Sequence, residues 1–284
     1  MNIKITELTE KIQDKEAAIG VFDSGIGGLT VVREIMRQMP NEKIIYFGDT
    51  ARLPYGSKSK DTVTRFSRQI ARFLMKHQVK TIVVACNTAS AYALDTLEQE
   101  FDIPMIGVVK PGAKMASMVT RNGKIGVIAT EGTIGSGIYD HYIHSIDEKA
   151  TIYGKACPLF VPLAEEGLWE DPVTLEIANR YLHELIEQEI DTLIMGCTHY
   201  PLLRQTIRNV VGEDVNLVNP AYETAMELQN MLREKDLLNP TKPELGSNPY
   251  QFYVSDGAEK FKRFANSIIK YGILSAQTIN IEND

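Results

Sequence analysis

The chain opens with a helical signal and then settles into a regular alternation. Ile5, Leu8 and Ile12 recur at helical spacing within residues 3–15, which predicts a short N-terminal helix appended to the main fold. From Ala18 onward, short apolar runs alternate with longer stretches that are apolar on one face only. Ala18–Phe22, Lys43–Phe47, Thr81–Ala85 and Met105–Val109 read as buried strands, with helices at Leu29–Met39, Asp61–His77 and Thr88–Glu100 between them. The theme then restarts. Lys124–Ala129, Thr151–Ala156, Thr192–Gly196 and Val215–Val218 read as strands, and Ile134–Ile146, Pro172–Glu189 and Leu202–Val211 as helices. A helix over Ala221–Lys235 follows. After it come a Pro- and Gly-bearing loop over Asn239–Pro249, a strand at Gln251–Ser255 and a helix over Ala258–Tyr271. Strands alternating with helices in this way predict an α/β fold of βαβ units, with mainly parallel sheets covered by helices on both faces.

The restart is visible residue by residue. Ile19-Gly20-Val21 recurs as Ile125-Gly126-Val127, 106 residues on. Thr81-Ile82-Val83-Val84-Ala85-Cys86 recurs as Thr192-Leu193-Ile194-Met195-Gly196-Cys197, 111 residues on. Either match alone is weak, because apolar strands resemble one another. Two matches at nearly one offset, with a cysteine ending both, predict a duplicated α/β domain.

Charge and cysteine count narrow the function. The net charge of −7 argues against a nucleic-acid binder, which would carry a basic stripe. The three cysteines, Cys86, Cys157 and Cys197, are an odd number with no CxxC pair, so neither a disulfide scaffold nor a cysteine metal site is expected. Reduced thiols, no export signal and no apolar run of membrane-spanning length lead us to expect a cytoplasmic protein with no membrane partner.

Cys86 and Cys197 each follow an apolar strand and precede a helix. That is the carboxyl end of a strand, where open α/β sheets bind ligands. A thiol at a helix N-terminus is expected to have its pKa lowered towards neutrality, which suits it to proton exchange with a carbon acid. The plain alternative is packing, since free cysteine is among the most buried residue types. The pairing in equivalent repeat positions weighs for chemistry: a racemase needs one acid/base group on each side of a carbon, and two similar domains facing across a cleft would supply them. Cys157, followed by Pro158, has no such context and reads as a buried small apolar residue.

The neighbouring residues add detail. Asn87-Thr88-Ala89-Ser90 and Thr198-His199 offer hydrogen-bond donors beside helix starts, suited to carboxylates. Asp23-Ser24-Gly25-Ile26-Gly27-Gly28 is Gly-rich but fits a dinucleotide fingerprint poorly, so its glycines read as a tight turn that approaches a small ligand. Asp23 is open to three roles: general base, partner of a thiol, or helix cap. The loop Asp49-Thr50-Ala51-Arg52-Leu53-Pro54-Tyr55-Gly56 suits a pocket wall or an ordinary turn. His199 sits where it could assist proton transfer, although adjacency to Cys197 does not make a dyad. His77, His141, His144 and His183 read as helix-surface residues, and Trp169 as packing.

Four strings in order carry a family resemblance: Val21–Gly28, Gly48–Gly56, Val84–Ser90 and Gly196–Leu203. On them the chain resembles the bacterial glutamate racemases of the aspartate/glutamate racemase superfamily. The resemblance implies two pseudo-symmetric three-layer α/β domains with the active site in the cleft between them. An extension over 1–17 would precede a first domain of 18–109 plus 220–284 and a second of 110–219. It implies interconversion of L- and D-glutamate without pyridoxal phosphate or metal, supplying peptidoglycan synthesis, and a homodimer. It implies that Cys86 takes the α-proton from D-glutamate and Cys197 from L-glutamate. Asp23 would support Cys86, and Glu165 and His199 would support Cys197. Substrate would meet Asp23, Ser24, Pro54, Tyr55, Gly56, Asn87, Thr88, Thr130, Thr198 and His199. Asn219-Pro220 departs from the pattern, standing where relatives often carry an acidic residue followed by Ser. Rival readings are an aspartate racemase on the same scaffold, a two-lobed binding protein, and a Cys-nucleophile hydrolase needing one thiol.

Overall fold

The structure, a computed structural model, describes residues 15–244, 248–269 and 275–282. Apart from Lys15, the helix expected over residues 3–15 lies outside these. The first sheet contains β1 (Ile19–Asp23), β2 (Ile44–Gly48), β3 (Thr81–Val84), β4 (Met105–Gly107), β9 (Tyr250–Val254) and β10 (Gln277–Thr278). The second contains β5 (Lys124–Ala129), β6 (Thr151–Ala156), β7 (Thr192–Gly196) and β8 (Asn216–Val218). The orders are β10-β9-β2-β1-β3-β4 and β6-β5-β7-β8, and every paired strand runs parallel.

The helices are α1 (Leu29–Gln38), α2 (Lys60–Lys76), α3 (Asn87–Tyr92), α4 (Leu94–Glu100), α5 (Val109–Val119), α6 (Glu131–Gly135), α7 (Ile138–His144), α8 (Phe160–Glu165), α9 (Pro172–Glu187), α10 (Arg204–Val211), α11 (Pro220–Glu234) and α12 (Ala258–Ile268). Strand alternation decides what each face meets. Ile19, Val21, Ile44 and Tyr46 pack with α1, α11 and α12, while Phe22, Ile45, Phe47 and Val84 pack with α2 and α4. In the second sheet Ile125 and Val127 face α5 and α7, while Ile128, Leu193 and Met195 face α9 and α10. Each sheet with its helices forms one lobe.

The duplication holds at the level of register. In each lobe the strand order runs second, first, third, fourth. Ile19 pairs with Thr81 in the first lobe, and Ile125 with Thr192 in the second. The two repeated strings are therefore structural equivalents.

Several elements differ from the expected pattern. The predicted helix Thr88–Glu100 breaks into α3 and α4 at Ala93, and Ile134–Ile146 gives way to α6 and α7, separated at Gly137, whose φ of 65° is left-handed. The strand expected through Val109 ends at Gly107, and Val109 instead opens α5, which carries Pro111 in its first turn. Helix α8 and strand β10 add to the expected elements. Asn219-Pro220 has a local explanation: the Asn219 side chain accepts from the Ala221 N–H at 3.1 Å, and Pro220 occupies the first helical position of α11.

A buried ion pair fastens the base of the first lobe. Lys80, fully buried before β3, lies 2.5 Å from Glu42 Oε2 and donates to the Lys15 and Leu237 carbonyls at 2.7 and 2.8 Å. Glu42 in turn accepts from the Asn239 N–H at 2.9 Å. The pair thus joins the start of β3 to the chain leaving α11. Lys80→Met should lower unfolding free energy by about 3–5 kcal/mol in urea titration, because it strands a buried carboxylate. Lys80→Met with Glu42→Leu should recover most of that loss; a double variant as weak as the single one would contradict this account.

Candidate active site between the two lobes

The carboxyl ends of β3 and β7 bring the two cysteines to one crevice. Cys86 caps α3 and accepts weakly from the Ala89 N–H at 3.5 Å, and its sulfur lies 3.5 Å from Ser24 Oγ. Cys197 follows β7 directly, and its sulfur lies 3.7 Å from His199 Nδ1. Both are nearly buried, at 6% and 7% exposure, so both thiols meet a water-poor environment.

Twelve of the residues expected at the site line this crevice: Cys86, Cys197, Ser24, Pro54, Tyr55, Gly56, Asn87, Thr88, Thr130, Glu165, Thr198 and His199. Gly25, from the Gly-rich turn, and Leu53, from the expected wall loop, line it as well, and so does Val161, which no sequence signal marks. The cavity is small, about 40 Å³. Asp23 does not line it. It is fully buried beneath the Gly-rich turn, where its Oδ2 accepts from the N–H groups of Gly25 and Gly28 at 3.1 and 3.0 Å. Among the described residues its Oδ1 has no hydrogen-bond partner. Burial raises its pKa, against the opposing pull of His199 and the N–H groups of Gly28, Gly25 and Ser24.

The first-lobe wall is rigidly held. The Tyr55 hydroxyl donates to Asp49, which Arg52 clamps through two bonds of 2.9 and 2.8 Å and to which Ser255 donates at 2.9 Å. The expected pocket loop is thus ordered by its own buried carboxylate and by the chain following β9. Thr88, Thr130 and Thr133 form a hydroxyl triangle at 2.9, 3.2 and 3.0 Å that spans the two lobes. Gly27 lets the lobes meet: a Cβ there would fall 2.4 Å from Thr198 Oγ1 and 2.6 Å from the His199 ring.

The two thiols differ sharply in electrostatics. Burial pushes Cys86 up to about 12, with Asp23 adding to the effect and the Ala89 N–H and Ser24 hydroxyl opposing it. This corrects the expectation that the helix start lowers it; at Cys86 desolvation outweighs the N–H groups. On the other side, burial disfavours a charged His199, but the Cys197 sulfur and the Glu165 carboxylate outweigh it and push the ring up to about 10. His199 Nε2 lies 3.1 Å from Glu165 Oε1, and Lys260 Nζ lies 3.7 Å from Glu165 Oε2. Burial alone would raise Glu165, but His199 and Lys260 outweigh it and hold it below the usual carboxylate range. An imidazolium therefore stands beside the Cys197 sulfur, backed by a carboxylate.

The remaining candidates fall elsewhere. Cys157 is fully buried in the second lobe, and burial raises its pKa. Trp169 packs between lobes and donates to the Ala164 carbonyl at 2.9 Å. Among the described residues no group of three or more His, Cys, Asp and Glu side chains is arranged to hold a metal ion. No helix of those residues is long and apolar enough to cross a membrane.

Comparison with known proteins matches residues 19–228 to the Asp/Glu/hydantoin racemase family. The chain is 52% identical to a glutamate racemase of Geobacter metallireducens over 252 residues, covering 89% of this chain and 92% of that one. It is similar to the crystal structure of a glutamate racemase from Bacillus anthracis, with a TM-score of 0.89 and 40% identity over 94% of this chain and 98% of that one. It is also similar to the Francisella tularensis glutamate racemase solved with D-glutamate, with a TM-score of 0.87 and 39% identity over 95% of this chain and 100% of that one.

His199, held by the Cys197 sulfur and by Glu165, sets a pH dependence. Because the folded state raises the His199 pKa, the stability it contributes is full below the unfolded value near 6.5 and is lost as pH rises towards about 10. Glu165→Gln should move the His199 titration, followed by NMR of its ring Cε1 proton, to lower pH. It should also flatten the fall in stability between about pH 6 and about pH 10. An unmoved titration would show that Glu165 does not hold the ring's proton.

Proposed function

The chain belongs to the Asp/Glu/hydantoin racemase family, and from that premise we propose that it interconverts L- and D-glutamate by a two-thiol mechanism that needs no cofactor. The observation that carries this reading is the pair of cysteines at equivalent strand ends, facing one crevice from opposite lobes. Racemisation requires removal of the α-proton on one face and its return on the other, and one thiol per lobe meets that demand.

In the proposed direction from L-glutamate, Cys197 takes the α-proton and Cys86 delivers a proton to the opposite face. The reverse reaction exchanges the roles. Cys86, pushed up to about 12, holds its proton at neutral pH and so starts as the donor. His199, protonated and 3.7 Å from Cys197, steadies the sulfur that takes the proton and is itself held by Glu165. Asp23, beneath the turn, acts on Cys86 through its charge and by fixing the backbone that carries Ser24. Ser24, Asn87, Thr88 and Thr198, with the wall of Pro54, Tyr55 and Gly56, would hold the carboxylates, and Thr130 would close the far side. At about 40 Å³ the crevice is far smaller than the roughly 300–1,000 Å³ of small-molecule sites, and in the proposed cycle the lobes part to admit an amino acid. The moving bodies would be 18–109 with 220–284, and 110–219. We further propose a cytoplasmic homodimer whose D-glutamate feeds peptidoglycan synthesis.

Incubation with single-enantiomer glutamate in deuterated water tests the reading. Optical rotation should fall to zero while deuterium enters the α-position of the inverted product. Turnover of aspartate with none of glutamate would defeat the substrate assignment. Cys86→Ala and Cys197→Ala should each abolish racemisation, by about a thousandfold or more; near-normal rates in either would defeat the two-thiol mechanism.

A further inference from the structure

The two thiols belong to different lobes, so their separation across a bound α-carbon depends on how the lobes are fastened near them. Two buried hydroxyls outside the crevice lining make such a fastening, in opposite directions. Thr30, the second residue of α1 and fully buried, lies 2.9 Å from the carbonyl of Thr198, its donor shared with the Gly27 carbonyl at 3.0 Å. Tyr139, the second residue of α7 and 2% exposed, donates to Asn87 Oδ1 at 2.8 Å. Each reaches from a helix following the opening strand of its own lobe to the residue directly after the other lobe's cysteine. Thr30 and Tyr139 stand 109 residues apart, within the 106- to 111-residue offset of the duplicated strings. The two cross-links thus run in opposite directions to matching positions, one to a backbone carbonyl and the other to a side-chain amide oxygen.

Each bond constrains something specific. The Thr30 bond holds the Thr198 carbonyl and with it the backbone just beyond Cys197. The Tyr139 bond occupies the Asn87 amide oxygen, which leaves the amide N–H groups for the crevice and anchors the residue after Cys86. We infer that Thr30 and Tyr139 are paired positioning residues, Thr30 setting the reach of Cys197 and Tyr139 that of Cys86. The inference rests on the two-thiol reading above. A displacement of even 1 Å at a reacting centre costs on the order of a hundredfold in rate, so loss of either bond acts on the thiol beside it.

The test isolates one thiol at a time. A glutamate bearing chlorine at C3 loses its α-proton to a single thiolate and then expels chloride; the enamine left behind tautomerises and hydrolyses to the 2-oxo acid and ammonia. The opposite thiol takes no part. Elimination from the D- and L-configured compounds by Cys86→Ala and Cys197→Ala first assigns each series to its thiol. Thr30→Val and Tyr139→Phe then remove one hydroxyl each. The Tyr139→Phe change keeps the ring that packs against Gly196, and Thr30→Ser restores the donor. We expect both Thr30→Val and Tyr139→Phe to lower racemisation about tenfold or more. Thr30→Val should slow elimination only in the Cys197 series, and Tyr139→Phe only in the Cys86 series, with the other series within about twofold and Thr30→Ser near the unaltered rate. Equal slowing of both series, or no slowing, would overturn the inference while leaving the two-thiol reading intact. If the unaltered protein does not racemise glutamate, that reading fails, and this inference with it.

Discussion

A parallel strand covered by helices on both faces can present a side chain to a ligand only where it ends. That constraint governs the arrangement of this molecule. β3 and β7 are buried along their whole length, and the first reachable positions beyond them are Cys86 and Cys197. Because both lobes share one strand order and one register, the chain arrives at the same place twice. Two equivalent strand ends turned towards one crevice set two sulfurs against each other without any dedicated scaffold.

The backbone is nearly symmetric and the side chains around it are not. Cys86 has Ser24 beside it and a buried carboxylate, Asp23, below. Cys197 has a protonated imidazole backed by Glu165 and, further out, Lys260. One thiol is thus made reluctant to ionise by burial and like charge, and the other faces a positive ring. Similar groups placed in contrasting environments are how one site performs acid and base steps together. The shared backbone sets where the two thiols stand, and the unlike side chains around them give each its own electrostatic surroundings.

Much of this was legible in the sequence, for identifiable reasons. Continuous apolar runs mark strands buried on both faces, so β1, β2, β3, β5 and β7 were readable, and repetition of two strings exposed the duplication, whereas the short, exposed β10 carries no such run. What local pattern could not carry was contact across distance. Glu165 meets His199 across 34 residues, and only family resemblance pointed to it. Pro111 and Gly112 disguised α5, although proline is tolerated in a first helical turn. Helix geometry suggested a lowered thiol pKa at Cys86, and burial, which no local pattern reveals, reversed it. Asp23 was open to three roles; its bonds to Gly25 and Gly28 show it bracing the turn from beneath. Thr30 and Tyr139 fall within predicted helices, and nothing local marks them, because their partners lie in the opposite lobe.

Strand β9 pairs with β2 along its whole length, Ile44 against Tyr250 through Gly48 against Val254, and Ser255 just beyond it braces Asp49 behind the crevice wall. On the ribosome, then, β2 emerges early and stands as an open edge while the entire second lobe is being made. Its neighbour β9 emerges only after that lobe. An interrupted message would release a chain holding both cysteines but an unguarded sheet edge, the kind of surface that recruits other chains. The chain must therefore be made past the whole second lobe, through Ser255, before the protein has both β2 paired with β9 and a finished crevice wall.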